Sequence, residues 1–563
     1  NRIYFNADMR LPPQLVDVTP LPWTASVPED QSPGVNFSEP LLGAGELIVV
    51  GSQSGPASGV TGGEGTEVRT TTLEEPLFPG ENVRFTVLPN LESAENGQVL
   101  SAGGTFEYSV AAGAGPAIFN RNLLTIGSEV RDTEALAMAD LNGDGKLDVI
   151  TGNVGSGNRI YLGLGTGAFQ PTVGLLGAET ETAPTRALVI ADLSGDGILD
   201  AVSLRDGQAA RLYEGDGQGS FSSETMLTSS MRDARALVAG DIDGDGDVDL
   251  IEGNDSSPHR LILNDGQGDF ESEIDLPVLP RTTRVLSLAD LNLDGQLDLI
   301  EGNDVDPNRI LWNRGSGAGS MYLFDHAEDL GAAAGATRSL AVGDLNADGW
   351  PDVVVGKKGA QDVAHFRSDD PKNLFETPLG ATISPTSSLV LGDLDGDGDL
   401  DVVRGLYGEI SQRHLNDGTG IFDSGADIDD VINNTTSLAL GDIDGDGDLD
   451  IAEGIEGKRN RLHLNSDVVN ATQLVFTTQP AGAQYRTPLT TSPRVTAQNL
   501  NGVTAASLTG LNIELTANSG VLSNGIAAMT AGVAAFDSLT IDQLATAITL
   551  TATPNVSGIS SAT

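Results

Sequence analysis

Between residues 136 and 464 the apolar positions fall into short runs that come in pairs. The first runs are Leu136 to Ala139, Leu188 to Ala191, Leu237 to Gly240, Leu286 to Ala289, Leu340 to Gly343, Leu389 to Gly392 and Leu438 to Gly441. Each is followed, across an acidic stretch, by a second run such as Leu147-Asp148-Val149-Ile150 or Leu297-Asp298-Leu299-Ile300. Runs this short, bounded by glycine and aspartate, predict strands, and two strands joined by a tight polar turn predict a hairpin. A third strand is expected at Asn158-Arg159-Ile160-Tyr161-Leu162, Asn308-Arg309-Ile310-Leu311-Trp312 and Asn460-Arg461-Leu462-His463-Leu464, followed by a glycine-rich turn, an apolar anchor and a fourth strand. The anchors are Phe119, Phe169, Phe221, Phe270, Met321, Phe375 and Phe422. None follows the last acidic stretch. The spare segment near 116–125, with Pro116-Ala117-Ile118-Phe119-Asn120, is therefore expected to supply the missing strand and close a ring without free sheet edges.

The acidic stretches share one pattern, D-x-[DNS]-x-D-G-x-x-D, at 140–148, 192–200, 241–249, 290–298, 344–352, 393–401 and 442–450. They start 52, 49, 49, 54, 49 and 49 residues apart. A period near 50 is filled by four strands and their turns, which is one propeller blade. The expected fold class is all-β: a seven-bladed β-propeller over 115–468, flanked by two β-sandwich domains at 12–113 and 471–563.

Composition sharpens this picture. The 563 residues include 70 glycines and 26 prolines, in keeping with many turns, and no cysteine, which excludes disulfides, thiolate metal sites and cysteine catalysis. A formal charge of -50 repels nucleic acid and anionic membranes and favours divalent cations. No stretch approaches the roughly 18 apolar residues that span a bilayer, so no membrane insertion is expected. The chain opens at Asn1 without a methionine or signal peptide, and reads as an excerpt of something longer.

Alternating oxygen side chains with a glycine turn are what calcium needs, since it takes six to eight oxygen ligands. The expected ligands at position 1 are Asp140, Asp192, Asp241, Asp290, Asp344, Asp393 and Asp442. Position 3 supplies Asn142, Ser194, Asp243, Asn292, Asn346, Asp395 and Asp444, and position 5 supplies Asp144, Asp196, Asp245, Asp294, Asp348, Asp397 and Asp446. Position 9 supplies Asp148, Asp200, Asp249, Asp298, Asp352, Asp401 and Asp450. Position 7 is Lys146, Ile198, Asp247, Gln296, Trp350, Asp399 and Asp448, an indifference to side chain that points to a backbone carbonyl ligand. Up to seven calcium ions are expected, with the second loop weakest because Ser194 brings no charge. Magnesium, which demands a tighter octahedron, fits less well.

The runs Ala439-Leu440-Gly441-Asp442-Ile443-Asp444-Gly445-Asp446-Gly447-Asp448-Leu449-Asp450 and Leu415-Asn416-Asp417-Gly418-Thr419-Gly420-Ile421-Phe422 resemble the FG-GAP or VCBS repeats of bacterial surface proteins, related to the propeller head of integrin α chains. Ser194 and Pro351 are the departures. The resemblance implies calcium in each hairpin and a role in adhesion or recognition. In the flanks, Val35-Asn36-Phe37-Ser38-Glu39-Pro40, Phe78-Pro79-Gly80-Glu81-Asn82-Val83 and the alternating run Ala547-Ile548-Thr549-Leu550-Thr551 are similar to bacterial immunoglobulin-like domains, and the second of these domains reads as one strand short. Residues 1–11 contain Asn1-Arg2-Ile3-Tyr4-Phe5-Asn6, a copy of a blade's third strand without a blade, left by excision or donated to a neighbouring copy in a fibre.

No catalytic set emerges. There is no G-x-S-x-G elbow and no H-E-x-x-H, and of the five histidines, His259, His326, His365, His414 and His463, the pair His414 and His463 occupies equivalent third-strand positions and reads as packing. The expectation is a non-enzymatic, extracellular, calcium-binding structural or adhesive protein of a bacterial surface, with copies of itself, a glycan or a protein as partner. The alternative is a targeting or carbohydrate-recognition module of a larger secreted enzyme.

Overall fold

The structure, a computed structural model, describes residues 15–115, 117, 119, 124–465 and 473–554, less several stretches within them, the longest being 316–322, 479–488, 499–511 and 542–548. The segment Asn1 to Asn6 and the chain end, where a further strand was expected, lie outside the described residues. All regular structure described is strand. None of it is a helix long and apolar enough to cross a membrane.

Two compact units are present, one within 1–114 and 124–464, the other within 115–123 and 465–563. In the first, each acidic loop joins the opening strand of a four-stranded antiparallel sheet to the second strand of the same sheet. The opening strands are Leu124–Ala139, Thr185–Ala191, Ala234–Gly240, Thr283–Ala289, Thr337–Gly343, Thr386–Gly392 and Asn433–Gly441. Each lies beside the opening strands of the sheets before and after it, and the seventh lies beside the first, so the ring is closed and the fold is a β-propeller. Hydrophobic side chains such as Val149, Ile150, Val202, Leu250, Ile251, Ile300, Val353 and Val402 are wholly buried between neighbouring sheets. Ion pairs add a circumferential link: Arg186 reaches Glu134 and Asp206, Arg235 reaches Asp206, and Arg284 reaches Asp255 and Asp304.

Closure uses one long strand twice. The first part of Leu124–Ala139 pairs with the seventh sheet (Leu124 with Leu462, Thr125 with Arg461, Ile126 with Asn460), and its last part opens the first sheet, with Ala139 opposite Asp148. The fourth strand of the seventh sheet thus falls at 124–126.

The anchors depend on their turns. Phe169, Phe221 and Phe422 pair with Gly163, Gly215 and Asn416 across turns whose two glycines hold positive φ, such as Gly217 and Gly219 at 66° and 80°. Two expected anchors differ. Met321 lies outside the described residues, and Phe324 is the buried aromatic of that sheet. Phe375 is 68% exposed and pairs with Phe366 across neighbouring strands.

Ahead of the propeller, two four-stranded sheets face each other. One orders Leu15–Thr19, Gly34–Phe37, Val68–Leu73 and Gly59–Gly62; the other orders Gly104–Ser109, Asn82–Val87, Leu47–Gly51 and Gly55–Pro56. Val35, Phe37, Val49, Val83, Phe85 and Tyr108 fill the space between, as alternation in both sheets requires. This sandwich belongs to the same compact unit as the propeller. In the second unit, Phe119 pairs with Asn465, and a six-stranded and a two-stranded sheet share a core of Leu474, Val495, Ile513, Leu515, Phe536 and Leu550.

Candidate metal centres

Every acidic loop is built by the same hydrogen bonds. The position-1 aspartate turns its Oδ2 onto the amide of the position-6 glycine, at 2.8 Å for Asp140 and Gly145, 2.9 Å for Asp192 and Gly197, and 3.1 Å for Asp241 and Gly246. Asp290, Asp344, Asp393 and Asp442 do the same for Gly295, Gly349, Gly398 and Gly447. That bond requires the glycine to sit at positive φ, 72° to 99° across the seven loops, which a side chain would make costly. At position 5, Asp196, Asp245, Asp294, Asp348, Asp397 and Asp446 accept the amide of position 7. The position-7 side chains of Lys146, Ile198, Asp247, Gln296 and Asp399 rest against the glycines of the turn after the third strand. This accounts for the variety at that position.

Position 9 does a second job that its spacing did not reveal. Its carboxylate is buried in all seven loops. One oxygen accepts the amide of position 2, as Asp249 does from Ile242 at 3.0 Å. In the first six loops the other oxygen accepts the amide fifteen residues on, as Asp148 does from Gly163 at 2.7 Å and Asp352 from Arg367 at 2.8 Å. Asp148, Asp200, Asp249, Asp298, Asp352 and Asp401 therefore pin the hairpin to the third strand.

Position 3 separates the loops into two kinds. Asn142, Asn292 and Asn346 each spend the amide oxygen on the amide of position 5, at 2.9 to 3.1 Å, and Asn346 also donates to Asp348. Where the residue is aspartate, a second oxygen stands in place of the NH2 group. The Oδ1 atoms of Asp243, Asp395 and Asp444 are buried and have no hydrogen-bond partner. In these three loops, carboxylate oxygens of Asp241, Asp243 and Asp249, of Asp393, Asp395 and Asp401, and of Asp442, Asp444 and Asp450 lie within 4.8 Å of one another. Such triads could hold a metal ion, and oxygen-only donors suit a hard cation. In the first loop Lys146 Nζ lies 3.1 Å from Asp144 Oδ2, an internal cation beside the site. In the second, the Ser194 hydroxyl is hydrogen-bonded to Asp200.

Burial sets the electrostatics. Desolvation pushes the carboxyl of Asp148 up to about 7, and those of Asp249, Asp298 and Asp352 to about 8, with neighbouring aspartates adding to the rise and the backbone amides opposing it. Asp241, Asp290 and Asp401 are raised to about 7 for the same first reason. Asp243 and Asp444 are raised by burial and by the carboxylates at position 5. Without a counter-ion the loops hold carboxylates where the charged form is disfavoured.

A further cluster of three buried groups lies between the last two sheets. Asp429, Glu453 and His463 bring ligand atoms within 4.8 Å, but Arg461 pairs with Asp429, and Ser411, Asn433 and Thr435 hydrogen-bond to Glu453. His463 Nε2 is 3.1 Å from Glu453 Oε2, so this histidine serves a buried polar network rather than packing alone. His414 is the packing residue expected, buried with its imidazole held down to about 4 by desolvation.

Residues 140–203, 192–252, 241–301, 290–355 and 344–404 each match the FG-GAP-like repeat family. That match does not extend to the flanking domains. No curated protein matches the chain. Among solved structures it is similar to BBS1N in complex with ARL6DN (12% identity, TM-score 0.43, covering 62% of this chain and 97% of that one). It is also similar to Raptor of Chaetomium thermophilum (11%, 0.43, 62% and 29%) and to the BP39L lectin of Burkholderia pseudomallei (12%, 0.43, 59% and 98%).

Proposed function

From the premise that this chain is an FG-GAP repeat β-propeller protein, we propose that its acidic loops bind calcium and that it serves as a calcium-stabilised structural or adhesive module outside the cell. The observation that carries the reading is the row of orphaned oxygens, Asp243 Oδ1, Asp395 Oδ1 and Asp444 Oδ1, each inside a triad of carboxylates. A buried acceptor without a partner costs about 1–3 kcal/mol, more when charged, and a bound cation removes that cost. Loops 241–249, 393–401 and 442–450 are the tight sites; the asparagine and serine loops are the weaker ones. Each ion bound only by the folded chain adds to its stability by mass action. In a protein with no cysteine, calcium takes the place that disulfides hold in other secreted proteins. Extracellular modules of this kind work with dissociation constants of about 10⁻⁴ to 10⁻³ M, a range matched to calcium outside cells and not inside.

Thermal denaturation with calcium, with magnesium and with a chelator tests the reading. The melting temperature is expected to rise by ten degrees or more in calcium and by much less in magnesium. Identical curves in calcium and chelator contradict it.

A further inference from the structure

The acidic loops face the N-terminal sandwich, and the two touch at loop after loop. The amide of Thr105 donates to the carbonyl of Gly295 at 2.8 Å, and that of Gly113 to Gly447 at 2.7 Å; both acceptors are position-6 glycines. The Asp140 amide donates to Gln53 O at 3.0 Å, and Ser26 Oγ lies 3.3 Å from Asp393 Oδ2, a position-1 carboxylate. Ile48 and Leu88 rest on Gly246, while Leu199 and Leu449, at position 8 of their loops, rest on Gly55 and Gly80. First, second, third, fourth, sixth and seventh loops are all engaged. Arg84, paired with Glu107, reaches past the loops to the carbonyl of Ala239 at 3.0 Å.

We infer that metal in the loops locks the sandwich onto the propeller, so that the joint between the two domains is rigid when the loops are filled and loose when they are empty. This rests on the calcium reading above. The physical ground is that the docking groups belong to the loops themselves, two of them being loop carbonyls. The carbonyls of Gly295 and Gly447 point at the sandwich only while the loop holds its position-6 glycine at positive φ, 82° and 94°, with position 1 folded over it. That shape gathers carboxylates against their mutual repulsion, and a cation is what makes the gathering favourable. Withdrawing the ion lets each loop open, which moves a docking point of the sandwich. Several loops opening together release the face. Coupling of this kind is reciprocal: whatever undocks the sandwich weakens the metal by the same factor.

Because the chain has no cysteine, Thr72→Cys and Val305→Cys give two unique labelling positions, both exposed, one on the sandwich and one on the propeller. Distances between spin labels there are measured in saturating calcium and after chelation, beside a control pair within the propeller, Met231→Cys and Val305→Cys. Calcium uptake is followed separately by titration. The inference predicts a narrow distribution between sandwich and propeller in calcium that at least doubles in width on chelation, while the control pair stays narrow. It also predicts that Gly80→Val, whose added side chain meets Leu449, lowers calcium affinity threefold or more. Calcium uptake with an unchanged inter-domain distribution overturns the lock and leaves the calcium reading intact. Broadening of both pairs alike overturns it too, since the joint is then not the part released. Absence of calcium uptake overturns both readings.

Discussion

The side-chain amide of Asn416 donates to the carbonyl of Leu345, 71 residues earlier and one blade back, at 2.7 Å. Asn264 reaches Leu193 and Asn313 reaches Ile242 at the same separation. Each asparagine also gives its backbone amide to the position-9 aspartate of its own blade. One residue thus ties its own acidic loop to the loop of the preceding blade, at position 2, beside the proposed metal.

Asn416→Ala removes the two buried hydrogen bonds that its side-chain amide donates to the carbonyls of Leu345 and Leu400, and also the acceptor of the Asp417 and Gly420 amides. A loss of about 2–4 kcal/mol is expected from two such bonds at roughly 1–3 kcal/mol each with partial relaxation. Chemical denaturation checks it. A destabilisation well under 1 kcal/mol contradicts the inter-blade clasp.

Asp444→Asn should act with opposite signs in the two states. It replaces the orphaned Oδ1 with a donor beside Asp442, Asp446 and Asp450, so the metal-free protein gains about 1–2 kcal/mol. The calcium-dependent gain in melting temperature should shrink, because a charged ligand is lost. Melting curves of both proteins in calcium and in chelator measure the two effects together.

pH separates the metal-free and metal-bound states. The carboxyls of Asp148, Asp249, Asp298 and Asp352 lie at about 7 to 8 in the folded chain, above the unfolded value near 3.9. A folded-state value raised in this way favours folding while the group is protonated, and the advantage disappears as pH climbs through 7 to 8. In chelator, the melting temperature is therefore expected to fall between pH 5 and pH 8.5. In calcium, which needs ionised ligands, it is expected to rise over that span. A metal-free protein that gains stability towards pH 8.5 contradicts the burial of these carboxylates.

Ring closure is carried by few residues. Ile126 is buried and pairs with Asn460 in the seventh blade. Ile126→Ala is expected to cost about 2–5 kcal/mol from the lost burial and the cavity left behind. Proteolysis should then cut first in the seventh blade, whose outer edge becomes free. Cleavage elsewhere first counts against closure by this strand.

The sequence made the local features visible. Aspartate at positions 1 and 5 with glycine at position 6 encodes a turn whose bonds all lie within nine residues, so spacing alone marks it out. The position-9 link from Asp148 to Gly163 and the clasp of Asn264 on Leu193 join separate strands and blades, and spacing within one loop gives no sign of them. A repeated asparagine at 264, 313 and 416, always fifteen residues after position 9, was the signal available. Phe375 shows the converse: a residue of the expected type at about the expected spacing is 68% exposed. Docking of Thr105 and Gly113 on loop carbonyls uses backbone atoms, which leave no trace in side-chain pattern.

The most direct measurement is an electron-density map of crystals grown in calcium. The account predicts an ion in loops 241–249, 393–401 and 442–450, with oxygens of Asp243, Asp395 and Asp444 at about 2.3–2.6 Å from it. Water or nothing at those three positions, in crystals held at millimolar calcium, contradicts it.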